Sequence, residues 1–172
     1  MKTISSKDSV VTTRDLDKRV DELQEELDYL VQDLEDAEEA LADCKTQLED
    51  AKDMLTESGN DDPDYCINLK TADLQEAETA LEAAEAALSE WNEEYAAPLA
   101  ELKTVLKEFE GYGDTGINES YWEEYADDQI REAIEGHSQS WPFSCIDWEE
   151  ARQELQSDYS AVEWEGTTFY VM

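Results

Sequence analysis

The chain has 172 residues, with 47 Asp and Glu against 12 Lys and Arg and one His, for a formal net charge of −35 at neutral pH. A surface of that sign repels phosphate, which excludes DNA and RNA as direct ligands and disfavours an anionic membrane. The 40% of hydrophobic residues, five Trp and eight Tyr among them, are patterned along the chain, which excludes a disordered acidic tail.

The charge is spread evenly. Residues 14–57, 58–116 and 117–172 each carry −12, and the first thirteen carry +1. Self-repulsion on this scale opposes non-specific association and leaves a basic surface as the natural partner. Cys44, Cys66 and Cys145 are odd in number and widely spaced, so they do not read as a disulfide framework. No apolar leader precedes residue 14, and no run reaches the ~18–20 apolar residues that span a bilayer. The expectation is a cytoplasmic protein with reduced thiols.

Residues 1–13 are polar and aperiodic and read as a flexible N-terminal arm. Thr12 is placed to cap a helix, with Asp15 at its third position. A heptad follows. Val20, Leu27, Leu34, Leu41, Leu48 and Leu55 take position a, and Leu16, Leu23, Leu30, Ala37, Cys44 and Ala51 take position d. Residues 58–64 (SGNDDPD) break it. A second period runs through Leu74, Ala77, Leu81, Ala84, Leu88, Trp91 and Tyr95, then through Pro98 to Leu102, Val105 and Phe109. Pro98 is expected to kink that helix or to start a new one, and residues 111–113 (GYG) end it. Two matched periods joined by a short loop predict an antiparallel coiled-coil hairpin over 14–113. The structural alternative is a parallel homodimeric coiled coil with a separate second helix.

Residues 117–172 predict a small α+β domain, marginal by itself. Asn118 or Ser120 caps a helix running to about Glu135, with an apolar face of Tyr121, Trp122, Tyr125, Ile130, Ala133 and Ile134, and Gly136 follows its end. Asp147 caps a second helix, Trp148 to Gln156. Ser160 to Val171 predicts a β-hairpin turning at Glu165-Gly166. The fold class is thus mostly α, a long antiparallel coiled-coil hairpin followed by a small α+β domain with a β-hairpin.

No catalytic, metal or cofactor site stands out. His137 has no partners at diagnostic spacing. Asn60, Asp62 and Asp64 alternate like the start of a calcium loop, but Tyr65 stands where that loop needs Gly and Thr71 where it needs a bidentate Glu. Cys44 sits on the heptad seam as a small core residue. Tyr121, Trp122 and Tyr125 read as core of the C-terminal domain, with an exposed contact patch as the alternative, and an assembly role would use Trp122 and Trp164.

The informative feature is the unbalanced outer face. A coiled coil built only for stability interleaves Lys with Glu, because like charges at i,i+4 destabilise a helix. Here Asp21, Glu22, Glu25, Asp28, Glu35, Asp36 and Glu39 line one arm. Glu76, Glu78, Glu82, Glu85, Glu90, Glu93 and Glu94 line the other, and Glu119, Glu123, Glu124, Asp127 and Asp128 follow on the next helix. The two arms carry about one net charge per ~2.7 Å at ~1.5 Å per residue, within a factor of two of duplex DNA.

The C-terminal segment adds a resemblance. Tyr121-Trp122-Glu123-Glu124-Tyr125-Ala126, Trp141-Pro142-Phe143, Cys145-Ile146-Asp147-Trp148-Glu149 with Ala151, Asp158-Tyr159-Ser160 with Val162-Glu163, and Gly166 to Val171 together resemble the end of small acidic phage-borne antirestriction proteins. The resemblance covers about 55 residues, and the N-terminal heptads depart from that family's compact pattern. It implies a DNA-mimic inhibitor of a restriction or CRISPR effector, with no catalytic residues and a basic nucleic-acid-binding protein of a bacterial defence system as partner. The rival readings are a structural or assembly coiled coil whose acids only confer solubility, an acidic chaperone for a basic protein, and halophilic adaptation.

Overall fold

The computed structural model describes residues 4–58, 63–134 and 145–172, and of 55–58 and 63–67 the backbone alone. Residues 60–62 of the calcium-like run, Glu135, Gly136, His137 and the 141–143 segment therefore lie outside what is described, as do the side chains of Leu55, Asp64, Tyr65 and Cys66. The elements in chain order are β1 (Val10–Thr12), α1 (Thr13–Ser58), α2 (Pro63–Tyr112), β2 (Thr115–Asn118), α3 (Glu119–Ala133), α4 (Trp148–Gln156), β3 (Ser160–Trp164) and β4 (Thr167–Val171). The mostly helical fold with a small sheet-containing part is as the residue pattern predicts. The chain divides into two compact units, Leu23–Ala97 and the remainder, Met1–Glu22 with Pro98–Met172.

The Leu23–Ala97 unit is the helical hairpin. From Leu27 to Ala51 the heptad positions are half-buried and every other residue of α1 is exposed, which is the pattern of a two-stranded seam. On α2, Ala77, Ala84 and Trp91 are buried. The arms are antiparallel: Lys70 Nζ donates to Gln47 Oε1 at 2.8 Å, while Glu26 and Leu30 lie against Glu90, Trp91 and Glu94. Cys44 sits half-buried on the seam, as expected.

In the other unit, four antiparallel strands form one sheet in the order β1-β2-β4-β3. The expected arm over residues 1–13 is corrected here. Val11 is 1% exposed and pairs with Gly116 across β1 and β2, and Ser6 is buried. Strand β2 and the central place it takes were not legible from its four residues. Thr12 and Asp15 form a reciprocal cap: Thr12 Oγ1 accepts from the Asp15 amide at 3.2 Å, and Asp15 Oδ2 accepts from the Thr12 amide at 3.3 Å. At the β3–β4 turn, Glu165 (φ 48°) and Gly166 (φ 74°) both adopt left-handed backbone, as a type I′ turn requires. Glu165 is held there because its amide donates to Glu101 Oε1 at 2.9 Å and its carboxylate accepts from Ser6 Oγ at 2.7 Å.

Both faces of this sheet are covered. Val11, Val162, Trp164, Phe169 and Val171 are buried on one face, where Phe109 of α2 packs on Phe169 with ring centroids 6.3 Å apart. Leu16, Val20, Leu99, Leu102 and Val105 are buried on the parts of α1 and α2 in the same unit. On the other face, Ile117 and Tyr170 meet Trp122 and Ala126 of α3, with Tyr121, Tyr125, Leu155 and Tyr159 packed around them. Two further corrections concern helices. Helix α2 runs unbroken through Pro98, which is exposed and off the seam; Leu99, 6% exposed, takes the buried place. A proline leaves the carbonyl four residues earlier without its amide partner but can be tolerated where that carbonyl faces water. Ala133, expected on the apolar face of α3, is exposed.

Candidate functional site

The two units differ in how their charge is balanced. Leu23–Ala97 contains 24 acids against three lysines, net −21; the remainder contains 23 against nine basic residues, net −14. The lysines of the hairpin unit, Lys45, Lys52 and Lys70, all lie in its loop-proximal part. Leu23–Cys44 on α1 and Thr71–Ala97 on α2 together hold 17 acids and no basic residue. The antiparallel arrangement sets these two stretches side by side, since Leu30 lies by Trp91 and Gln47 by Lys70. The heptad explains why the acids face water: apolar residues occupy the seam, and every acid of the two stretches except Asp73 is exposed. Asp73 is half-buried and pairs with Lys70 at 3.3 Å.

Over ~33 to 40 Å of helix, 17 carboxylates amount to about one per 2 Å, against one phosphate per ~1.7 Å in duplex DNA. This is denser than the average over both arms indicates.

The acids singled out from the sequence separate accordingly. Glu25, Asp28, Glu35, Asp36, Glu39, Glu76, Glu78, Glu82, Glu85, Glu90, Glu93 and Glu94 fall in the basic-free section, exposed. Among the described residues no Lys or Arg pairs with them; Asp28 and Asp36 accept only amide hydrogen bonds, from Gln24 at 2.9 Å and Gln32 at 2.8 Å. Glu26, Asp33, Glu38 and Asp43 belong to the same section and were missed. The signal for them was the absence of Lys and Arg over two long stretches, not any residue by itself.

Asp21, Glu22, Glu119, Glu123, Glu124, Asp127 and Asp128 belong to the other unit, where four of them have a basic neighbour. Glu22 pairs with Arg19 at 3.3 Å and Lys18 at 3.6 Å. Asp127, its side chain 18% exposed, is a structural group: Arg152 Nε donates to it at 2.6 Å and Arg131 reaches it at 3.3 Å. That hydrogen bond from Arg152 holds the Asp127 carboxyl below the usual carboxylate range, outweighing the opposite effect of burial, and the same bond raises Arg152. Arg152 also reaches Glu123 at 3.1 Å and Glu149 at 3.4 Å, and Arg131 reaches Asp128 at 3.1 Å and lies 5.6 Å from the centre of the Trp148 ring. These two arginines tie α3 to α4, and between them they pair with Glu123, Asp127 and Asp128. Glu123 therefore serves Arg152, and Asn118, not Ser120, caps α3. Asp21, Glu119 and Glu124 remain exposed without a basic partner among the described residues.

Among the described residues no three His, Cys, Asp or Glu side chains are placed to hold a metal ion, and no helix is long and apolar enough to cross a membrane. Trp122 and Trp164 are 7% and 4% exposed, so neither offers a contact patch. Compared with known proteins, the chain matches no family model, no curated protein and no solved structure.

Proposed function

We propose that the chain is a non-enzymatic charge mimic of nucleic acid, and that its helical hairpin blocks the DNA- or RNA-binding cleft of a basic protein. The observation that carries this reading is the basic-free section, whose exposed carboxylates approach the linear charge density of a duplex. A hairpin needed only as a spacer gains from interleaved lysines, which relieve repulsion between like charges at i,i+4. The protein uses that interleaving in its other unit, through Lys18, Arg19, Arg131 and Arg152, and dispenses with it here. A cationic cleft that normally grips phosphates would find the same sign and spacing on a stiff support.

The residue pattern of the C-terminal segment suggests the setting, a phage or mobile-element protein that disarms a bacterial restriction or CRISPR effector. Capture from a bacterial lysate on the immobilised full chain tests the reading. The partner should be a nucleic-acid-binding protein, retained at low salt, released by added salt and displaced by duplex DNA. A complex that survives high salt and ignores DNA supports an assembly role and overturns this one.

A further inference from the structure

The sheet has two edges, β1 and β3, and they are finished differently. Hydrogen-bonded pairs alternate along an antiparallel ladder, so one observed bond fixes which backbone groups face out. The Asn118 amide donates to the Ser9 carbonyl at 3.0 Å, which makes Val11 and Gly116 the next hydrogen-bonded pair. Ile117 then bonds to Tyr170 of β4, and Ser160 and Val162 of β3 bond to Val171 and Phe169. On β3, the N–H and C=O groups of Ala161 and Glu163 therefore point away from the sheet. Both residues are exposed, and among the described residues no hydrogen bond reaches those outward groups. The β1 edge is closed: the outward amide of Thr12 donates to Asp15 Oδ2 at 3.3 Å, and helix α1 begins at the next residue. At the turn end of β3, the Glu165 amide is already taken by Glu101 Oε1 at 2.9 Å. Ala161 to Glu163 is thus an open stretch of edge, with one donor and one acceptor from each of those two residues.

We propose that this edge is a docking site for an extended basic segment of a protein partner, which adds to the sheet beside β3 with a lysine or arginine opposite Glu163. Strand addition draws affinity from main-chain hydrogen bonds and selectivity from the side chains that flank them. The charge here selects a cation. Glu163 is exposed on the open stretch, the exposed Glu101 holds its carboxylate at the turn end, and among the described residues no Lys or Arg pairs with either. Opposite charges directly across a strand pair stabilise it, and like charges destabilise it. The same rule sets aside a second copy of the chain, which would bring Glu163 toward its own counterpart between two molecules of net charge −35. A charge on an edge strand commonly guards against pairing; Glu163 guards against a like-charged strand and draws a basic one. The contact lies in a different unit from the basic-free section and works through backbone groups. It goes beyond charge mimicry and does not rest on it.

The test is an NMR titration of the full chain with a blocked peptide alternating lysine and valine, KVKVK, following the backbone ¹H–¹⁵N resonances of β3. The controls are EVEVE and a KVKVK peptide N-methylated at its lysines, which keeps the charge and removes the donors that face the edge. KVKVK should shift the Ala161 and Glu163 amides saturably and slow their exchange, binding about tenfold more tightly than either control, the worth of one hydrogen bond or charge pair. Glu163→Lys should reverse the order of KVKVK and EVEVE. Ala161→Pro removes one outward amide at a position where a strand tolerates proline, and should weaken KVKVK about tenfold while the Val162 and Phe169 amides stay protected. Ala161 and Glu163 amides unmoved by KVKVK, equal binding of the N-methylated peptide, or an unchanged order of peptides on Glu163→Lys overturns the site. So does slow exchange of those two amides in the free chain that is lost on dilution, which would place a second copy on the edge. The lysate capture uses neither these peptides nor these variants, so the edge can fail while charge mimicry stands, and the reverse.

Discussion

Replacing Asn118 should cost more than its place at the start of a short helix indicates. The residue is 3% exposed, and its side chain makes contacts in two directions. The amide oxygen accepts from the Ser120 amide at 2.9 Å and the Ser120 hydroxyl at 2.7 Å, capping α3. The amide nitrogen donates to the Ser6 carbonyl at 2.9 Å and the Asp8 carbonyl at 3.3 Å, holding the segment before β1. Asn118→Ala loses a cap worth about 1 kcal/mol and leaves a buried carbonyl without its donor, at about 1–3 kcal/mol, for about 2–4 kcal/mol in all. Asn118→Asp keeps the capping acceptor but turns a charged, donor-free oxygen toward two carbonyls. It should be at least as damaging at pH 7 and should recover in part at low pH, where a protonated carboxyl can donate. Urea denaturation of the full chain measures the free energies, and amide exchange at Val11 and Ser120 reports the two directions separately. If Asn118→Ala and Asn118→Asp both fall within 0.5 kcal/mol, roughly the range of an ordinary surface change, the N-terminal segment is not held as described.

Gly116 is needed for space: a Cβ there would lie 2.5 Å from the ring of fully buried Phe109, so Gly116→Ala should cost about 1–3 kcal/mol by urea denaturation, as overpacking does. Burial, reinforced by the hydrogen bond with Tyr125 at 3.1 Å, pushes the Tyr159 phenol well above its ordinary range. The folded protein therefore keeps that proton where the unfolded chain gives it up, so stability present below about pH 10 falls as pH rises further. Tyr159→Phe should remove that part of the alkaline decline in a Tm-against-pH series. Pro98→Ala restores an amide within α2 and should stabilise the protein by about 1–3 kcal/mol in the same denaturation assay, since the proline is exposed and fills no core position.

The sequence carried the parts of the fold that repeat or that use strong local signals. Heptad spacing marked α1 and α2, Asp147 and the Thr12–Asp15 pair announced their helices, and Glu165-Gly166 announced its turn. Strands β1 and β2 have three and four residues, too few for alternation to register, and what makes them strands is pairing between residues more than 100 apart. Pro98 was misplaced because the three–four alternation counts it onto the seam, whereas the helix advances four residues from Tyr95 to bury Leu99. At the candidate site, sign and exposure were legible from composition and period. The structural duty of Asp127 was not, because Arg152 lies 25 residues away and only the packing of α3 on α4 brings them together.

Under the proposed function, the exposed carboxylates of the basic-free section are what a partner grips. The most direct measurement compares the native chain with a variant in which Glu25, Asp28, Glu35, Asp36, Glu39, Glu76, Glu78, Glu82, Glu85, Glu90, Glu93 and Glu94 become Gln or Asn. Each displaces a fluorescent duplex from the captured partner, followed by anisotropy between 50 and 200 mM salt. The native chain should lose roughly 10³–10⁵ in affinity over that range if it replaces about 6–10 phosphate contacts, and the neutralised variant should fail to displace the duplex even at low salt. Displacement by the variant as strong as by the native chain, or a native affinity that ignores salt, would show that these carboxylates are not what the partner grips.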